Sequence, residues 1–428
     1  MIVLAIQVAS PVRQVEDSYR VNSVAHQIID HGTVSLQGTD LHNHDWVDWV
    51  KGGKPYTEWV KGGKPYPGYP LGPSFVAVPF VAGAELAGFQ PDTPSRDATL
   101  QVIEASVVVA ATAAVVFLIA ELGLCTLEAR RRRRWAVGTA FVFAFGTAAW
   151  STASRAMWQH GPSMLCLALA AYFALRSKEE PRFAAWMGLP LGAAYFMRPT
   201  SSIPIVILSL WVLVCRRRQL LSYLAGLGAM LGAFVFVSEN TYHTLVPPYY
   251  ADGSLSRFRF PAASLAGELV SPARGLLVFS PVIVLAVVGV VIARRRQALD
   301  GLSVALSAVI IAHWFVVSSA YDWWGGYSYG PRYMSDMLPF LVVLALPAVT
   351  WLAKKESGPV RTAAVSGTTV LVVASVLFNL GGAWSPRAIE WNSDVLLTVH
   401  RLWSWSDPQF LRGLSWVAPH ADYAQLLA

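Results

Sequence analysis

From residue 98 to residue 380 the chain is built of long apolar runs joined by short polar connections. The runs cover 98–125, 135–150, 162–175, 183–197, 201–215, 220–237, 275–293, 301–319, 333–352 and 362–380. A helix rises about 1.5 Å per residue, so the longer runs suffice for a hydrocarbon core of about 30 Å. With the N-terminal piece MIVLAIQVASPV, the pattern predicts eleven transmembrane helices. That first piece would rise only about 18 Å. It lacks a charged leader region and reads as the outer end of a span that starts upstream.

Arginine and lysine set the orientation. Arg130 to Arg134, Arg176 with Lys178 and Arg182, Arg216 to Arg218, Arg294 to Arg296, and Lys354, Lys355 and Arg361 fall in alternate connections, which marks those as cytoplasmic. The apolar segment 71–89 breaks the alternation if it spans. It is therefore expected to be interfacial or re-entrant on the outer side, a true span being the alternative. The outer face then collects 13–97, the turn STASRAMWQHG, the loop from residue 239 to 275, the stretch 319–340 and the tail after 380. Any chemistry is expected outside the cytoplasm, in a protein of the cytoplasmic (inner) membrane.

Composition agrees with a bilayer. Of 428 residues, 54% are hydrophobic and 14% charged, too apolar for a soluble chain of this size. The net charge of +7 sits in short clusters that cap apolar runs, so it speaks for membrane topology and against nucleic acid. Cys125, Cys166 and Cys215 form no CxxC pair, and neither a disulfide nor a thiolate metal site is expected. The tandem decapeptides DWVKGGKPYT and EWVKGGKPYP, residues 48–67, are two units where repeat architectures need about three, and read as a local duplication.

Four constellations could carry chemistry. After the first run, Val21, Val24, Ala25, Ile28 and Ile29 follow helical spacing and predict an amphipathic helix along the membrane surface, led by Glu16 and Asp17. An acid there suits a general base, although acids also simply favour a helix start. Second, WSTASRAMWQHG offers Arg155, able to hold a phosphate bidentately, and His160, able to move a proton. Each could equally be an interfacial anchor. Third, Arg198 lies in a very short outer connection, where a charge near hydrocarbon needs a partner such as a lipid phosphate. Fourth, Arg274 in SPARG and Arg332 in YDWWGGYSYGPRYMSD each precede a run that re-enters the membrane. Together they suggest a cradle for an anionic headgroup, with Asp322 and close-approach glycines beside it. HNHD, 42–45, has ligand residue types but no third cluster, and no phosphate-cradling motif is present.

These blocks resemble a family. DSYRVNSVAHQIIDHG is similar to the start of the first outer loop in the GT-C class of membrane glycosyltransferases, such as the lipid A aminoarabinose transferases and protein O-mannosyltransferases. GKPYPGYPLGPSFVAVPF, WQHGPS, MRPT, SPARGLLVFSPV and WWGGYSYGPRYMSDMLPFL resemble its polyprenyl-phosphate-sugar-dependent bacterial branch, in the same order. The resemblance implies an all-α polytopic membrane fold with interfacial helices in the first outer loop, a module over 1–380 with that loop at 13–97, and an outer tail at 381–428. It implies transfer of a sugar from a polyprenyl-phosphate donor to a lipid- or glycan-linked acceptor hydroxyl. Asp17 takes the catalytic acid position; Arg198, Arg274, Arg332, Asp322, His160, Arg155, Tyr329 and Trp324 are the expected donor-binding residues. Ser18 stands where the family often carries Glu, which weakens a two-carboxylate or metal site there. No metal ligands are assigned, and a divalent cation stays open as a cofactor. The rival reading is a lipid or sugar flippase, against which stand the uncharged middles of most runs and the lack of two-half symmetry.

Overall fold

The computed structural model describes residues 1–39, 50–51, 54–55, 58–61, 64–245, 247–251, 262–354, 358–394 and 399–414. The HNHD stretch lies outside them. The described chain is helical, in the order α1 (Ile2–Ala9), α2 (Val21–His31), α3 (Gly72–Leu86), α4 (Pro94–Gly123), α5 (Ala129–Phe145), α6 (His160–Arg176), α7 (Phe183–Trp186), α8 (Gly188–Met197), α9 (Ser202–Cys215) and α10 (Leu220–Tyr242). There follow α11 (Pro248–Ala251), α12 (Ala262–Val270), α13 (Leu276–Phe279), α14 (Val284–Arg295), α15 (Gly301–Ser318), α16 (Leu338–Leu352), α17 (Pro359–Trp384), α18 (Arg387–Glu390) and α19 (Gln409–Arg412). Two short antiparallel strand pairs lie within the decapeptides, Val50–Lys51 with Lys54–Pro55 and Glu58–Lys61 with Lys64–Pro67. The second is docked by its backbone: Pro65 O accepts from Leu36 N at 2.8 Å, and Pro67 O from the Tyr242 hydroxyl at 2.8 Å.

Among the described residues, five helical segments are long and apolar enough to cross a membrane: Pro94–Gly123, Arg217–Tyr242, Gly301–Ser318, Arg332–Leu352 and Pro359–Trp384. Three shorter apolar segments accompany them, Gly72–Leu86, Phe183–Met197 and Pro199–Cys215. The expected eleven full spans are thus not all continuous helices. Proline is one reason. The run 275–293 is cut by Pro281 into α13, a 3-10 turn and α14, and the run 333–352 enters through a 3-10 turn, Arg332–Met337, ahead of Pro339. In α5 the arginine run is part of the helix itself. α3 has 15 residues, about 22 Å of rise, with Pro79 inside.

Helix starts follow local rules. Thr93 accepts from Arg96 N at 3.4 Å with Pro94 next, and Asp300 accepts from Ser303 N at 2.8 Å to open α15. In the bundle, α4 packs on α5 and α6, α8 on α6 and α10, and α14 on α16. Lipid gives no hydrophobic drive between helices, so close contact must hold them. At the α8–α10 crossing a side chain at Gly188 would collide with the Tyr223 carbonyl, and one at Gly192 with Met230. α2 packs Val21, Ala25 and Ile29 against Ala77, Val78 and Val81 of α3, as its amphipathic pattern requires.

Candidate functional site

Between α15 and α16 the chain makes a glycine loop. Gly325, Gly326 and Gly330 have φ of +72°, +63° and +62°, the left-handed region that side chains rarely adopt. Asp322 O accepts from Gly325 N at 2.9 Å, Gly326 O from Ser328 N at 2.9 Å, and Gly330 O from Arg332 N at 2.9 Å. These turns carry the chain to the Arg332–Met337 turn and aim Arg332 back beneath the loop, where its Nη1 donates to Gly325 O at 3.1 Å.

Arg332 is the hub. Its Nη2 donates to the Asp17 carboxylate, its Nε donates to His160 Nε2 at 3.1 Å, and its guanidinium lies 4.0 Å from the Trp158 ring centroid. His160 Nδ1 lies 2.9 Å from Asp336 Oδ1, and the other Asp336 oxygen pairs with Arg198. Five side chains from four parts of the chain therefore form one line: Asp17, Arg332, His160, Asp336, Arg198. An arginine Nε–H only donates, so His160 Nε2 must accept and its proton sits on Nδ1, facing Asp336. His160 is consequently a neutral linker between two charged pairs. Both of its ring nitrogens are occupied, one by Arg332 and one by Asp336.

Asp17 sits in the turn Glu16–Ser18 between α1 and α2. The turn is clamped from α4: Ser18 Oγ donates to Gln101 Oε1 at 2.6 Å, and Gln101 Nε2 donates to Ser18 O at 3.1 Å and to Asp97 Oδ2 at 2.8 Å. Asp17 also accepts from the Tyr69 hydroxyl at 3.2 Å. Burial, then the Asp17 charge, hold the Tyr69 phenol well above its ordinary range, so it stays a donor. Burial and the Asp17 charge likewise push the Glu16 carboxyl up to about 8.

A cavity of about 60 Å³ opens beside this line. His160, Arg198 and Arg332 reach it, as does Asp322, with an aromatic wall of Tyr69, Tyr249, Tyr250 and Tyr333. Tyr250 donates to Gln159 Oε1 at 2.9 Å. An anion between Arg198 and Arg332 would meet two guanidiniums, and an acceptor hydroxyl near Asp17 would meet a carboxylate.

Four expected donor-binding residues lie elsewhere. Arg155 is buried and caps α1, donating to Gln7 O at 2.5 Å and Ser10 O at 2.9 Å. Arg274 is buried with all five donor positions used: Nε to Trp324 O, Nη1 to Ala273 O and Gln409 Oε1, Nη2 to Gly326 O and Asn392 Oδ1, at 2.6 to 3.0 Å. It pins the glycine loop to the C-terminal segment and has no donor left for a phosphate; burial lowers it to about 9. Trp324 packs with Ala273, Trp323, Trp391 and Leu402. Tyr329 is buried edge-on to Phe279 and donates to Phe378 O at 2.6 Å. Sequence reasoning missed Asp336, although an acid four residues past Arg332 at the mouth of a span was a usable signal. It also missed Tyr69, Tyr249 and Tyr250; the doubled tyrosine after Pro247 and Pro248 marked the last two.

No family model and no curated protein matches this chain. Two solved structures are similar to it. ArnT from Cupriavidus metallidurans bound to undecaprenyl phosphate has 14% identity and a TM-score of 0.50, over 96% of this chain and 74% of that one. ArnT from the same organism in the apo state has 13% identity and a TM-score of 0.48, over 96% and 73%. Its apolar helices make this a multi-pass membrane protein, and over nearly its whole length the chain has the ArnT-like GT-C fold.

Proposed function

We propose that this protein is a membrane glycosyltransferase that moves a sugar from a polyprenyl-phosphate donor to an acceptor hydroxyl on the extracytoplasmic side of the cytoplasmic membrane. The observation that carries this reading is the line from Asp17 through Arg332 and His160 to Asp336 and Arg198, set against a cavity at the loop end of the helices. It joins the one acid that the GT-C resemblance singles out to two arginines suited to a phosphate.

In this mechanism Asp17 accepts the proton of the acceptor hydroxyl as that oxygen bonds to the anomeric carbon. The bond from that carbon to the phosphate oxygen breaks, and polyprenyl phosphate leaves with the electron pair. Phosphate is a weak base, so its departure needs no second carboxylic acid of the kind used in glycoside hydrolysis. Arg332 and Arg198 stabilise the charge that grows on the phosphate, an electrostatic effect often worth more than any other single contribution. Asp336 holds Arg198, and through His160 it orients Arg332. Direct attack inverts the anomeric centre. Arg332 is paired with Asp17 at rest; an incoming phosphate competes for the guanidinium and frees the carboxylate to act as base.

The test is transfer from a panel of synthetic polyprenyl-phosphate sugars by purified protein, with Asp17→Asn alongside at matched folding. Transfer by the wild type and none by the variant supports both the reaction and the base. Equal transfer by both removes Asp17 from that role. Lipid movement between liposome leaflets without any transfer replaces the reading with a flippase.

A further inference from the structure

At the other end of the bundle from the cavity, α6, α9 and α10 meet around a second opening. α6 starts at His160, which reaches the cavity, and its 17 residues carry the chain about 25 Å to Arg176. α9 starts two residues after Thr200, which also lines the cavity, and ends at Cys215. Here lies an open groove of about 700 Å³, with the connection 179–182 on one side and residues 214–219 on the other. Its size is that of an ordinary ligand site, about 300–1,000 Å³. This is the end that the arginine clusters mark as cytoplasmic.

Four arginines and two acids line the groove, and most of these charges are already engaged. Glu180 pairs with Arg182 at 2.6 Å and with Arg176 at 2.9 Å, and Arg176 also holds Glu179 at 2.9 Å. Arg176 and Arg182 thus balance the two acids. Arg216 closes two helix ends, its Nη1 donating to Cys215 O at 2.8 Å and its Nε to Ser177 O at 3.2 Å. Arg217 and Arg218 are exposed, and among the described residues neither has an ion pair or a side-chain hydrogen bond. The groove therefore keeps two guanidiniums for an anion from outside the chain.

The wall beside them decides the kind of anion. Val206, Leu210, Leu213 and Val214 are all exposed and follow i, i+4, i+7, i+8 along α9, and Val214 itself lines the groove. An apolar stripe thus runs down the helix into a pair of free arginines. A soluble anion would use the arginines and leave the stripe bare, whereas a lipid uses both. We propose that the groove binds the headgroup phosphate of an anionic phospholipid in the cytoplasmic leaflet, with Arg217 and Arg218 on the phosphate oxygens and an acyl chain along the α9 stripe. The planar fork of arginine suits a phosphate. Two uncompensated charges favour an anionic lipid over a zwitterionic one. Bound there, the lipid bridges the connection after α6 to the connection between α9 and α10.

The experiment uses full-length protein, delipidated in detergent, with bound lipid counted by native mass spectrometry as phosphatidylglycerol, phosphatidylcholine or inorganic phosphate is added. Phosphatidylglycerol should bind ahead of phosphatidylcholine. Arg217→Gln combined with Arg218→Gln should weaken that binding by at least about tenfold, from the loss of two charges beside an anionic headgroup. Arg295→Gln combined with Arg296→Gln, an exposed basic pair outside the groove, should leave it as in the wild type. Equal binding of the two lipids overturns the proposal, as does an equal loss in both double variants, which would mark a diffuse basic surface. Displacement of phosphatidylglycerol by an equal concentration of inorganic phosphate also overturns it, in favour of a free anion. Should the first double variant fail to fold, Arg218→Gln alone carries the same comparison. No sugar donor is present, so the result stands apart from the proposed reaction.

Discussion

Arg332 donates to Asp17 across 315 residues of sequence, tying the turn after α1 to the entrance of α16. Asp17 remains partly open to solvent while Arg332 is buried under the glycine loop and over Trp158. Under the proposed mechanism Asp17→Asn keeps size and hydrogen bonding but removes the base. Its turnover should fall by about 10²–10⁴-fold, read below the melting transition of both proteins because buried Arg332 also loses its counter-charge in the variant. An Asp17→Asn protein that transfers at the wild-type rate would refute this.

Lysine at position 332 separates charge from shape. It could still pair with Asp17, but it has no fork to reach His160 Nε2 and Gly325 O together and stacks less well on Trp158. Arg332→Lys should therefore lower stability by roughly 1–3 kcal/mol, because buried acceptors lose their donors. Thermal melting in detergent reads this, and an unchanged midpoint would mean that the fork contributes nothing.

Asp336 serves two buried partners, His160 and Arg198. Removing it strands a buried guanidinium, which typically costs about 3–5 kcal/mol. Asp336→Ala should be strongly destabilising, while Arg198→Met combined with Asp336→Ala should recover part of the loss. A double-mutant cycle gives the coupling, expected above about 1 kcal/mol for groups in direct contact. Additive effects would show that the pair is not coupled.

Much of this could be read from the sequence, and the part that could not has a physical cause. The spacing of Val21, Val24, Ala25, Ile28 and Ile29 specified α2, because a surface helix writes its buried face into its period. Asp17, Arg198, Arg332, Asp322 and His160 were recognisable as charged or polar residues flanking apolar runs; the last four line one cavity, and Arg332 holds Asp17 beside it. Arg155 and Arg274 carried the same local signal and became structural clamps. What separates the two groups is how many carbonyl and amide acceptors the fold brings to each guanidinium, which comes from Gln7 and Ser10 in one case and from Gln409 and Asn392 in the other. Such pairings join distant segments and leave no local pattern. The tail gave only its tryptophans as a clue, whereas Gln409 and Asn392 prove to tie it to Arg274 and the glycine loop.

Gln409 is buried and fully used: Oε1 accepts from Arg274 Nη1 and from Gly330 N at 3.1 Å, and Nε2 donates to Ser328 O and Ala388 O, both at 3.0 Å. Gln409→Leu fills similar space without these bonds. Several buried groups lose their partners at about 1–3 kcal/mol each, so the glycine loop should loosen before the bundle does. Amide exchange at Ser328 and Gly330 should quicken by more than tenfold, while exchange in α4 stays as in wild type. Equal quickening in both would mean that the tail supports the whole fold and not the loop.

Glu268 is buried on α12, and among the described residues its Oε1 has no hydrogen-bond partner. Burial raises its carboxyl from 4.5 to about 8, against a smaller lowering by Arg274. Between those values the folded chain holds a proton that the unfolded chain has released, so stability must fall as pH rises through that window and level off above it. Glu268→Gln removes the titrating proton and leaves the neutral shape. Melting measured from about pH 5 to pH 8.5 should decline less steeply in Glu268→Gln than in wild type, and the variant should be the more stable of the two at the alkaline end. Parallel melting curves against pH would show that Glu268 ionises without cost where it lies.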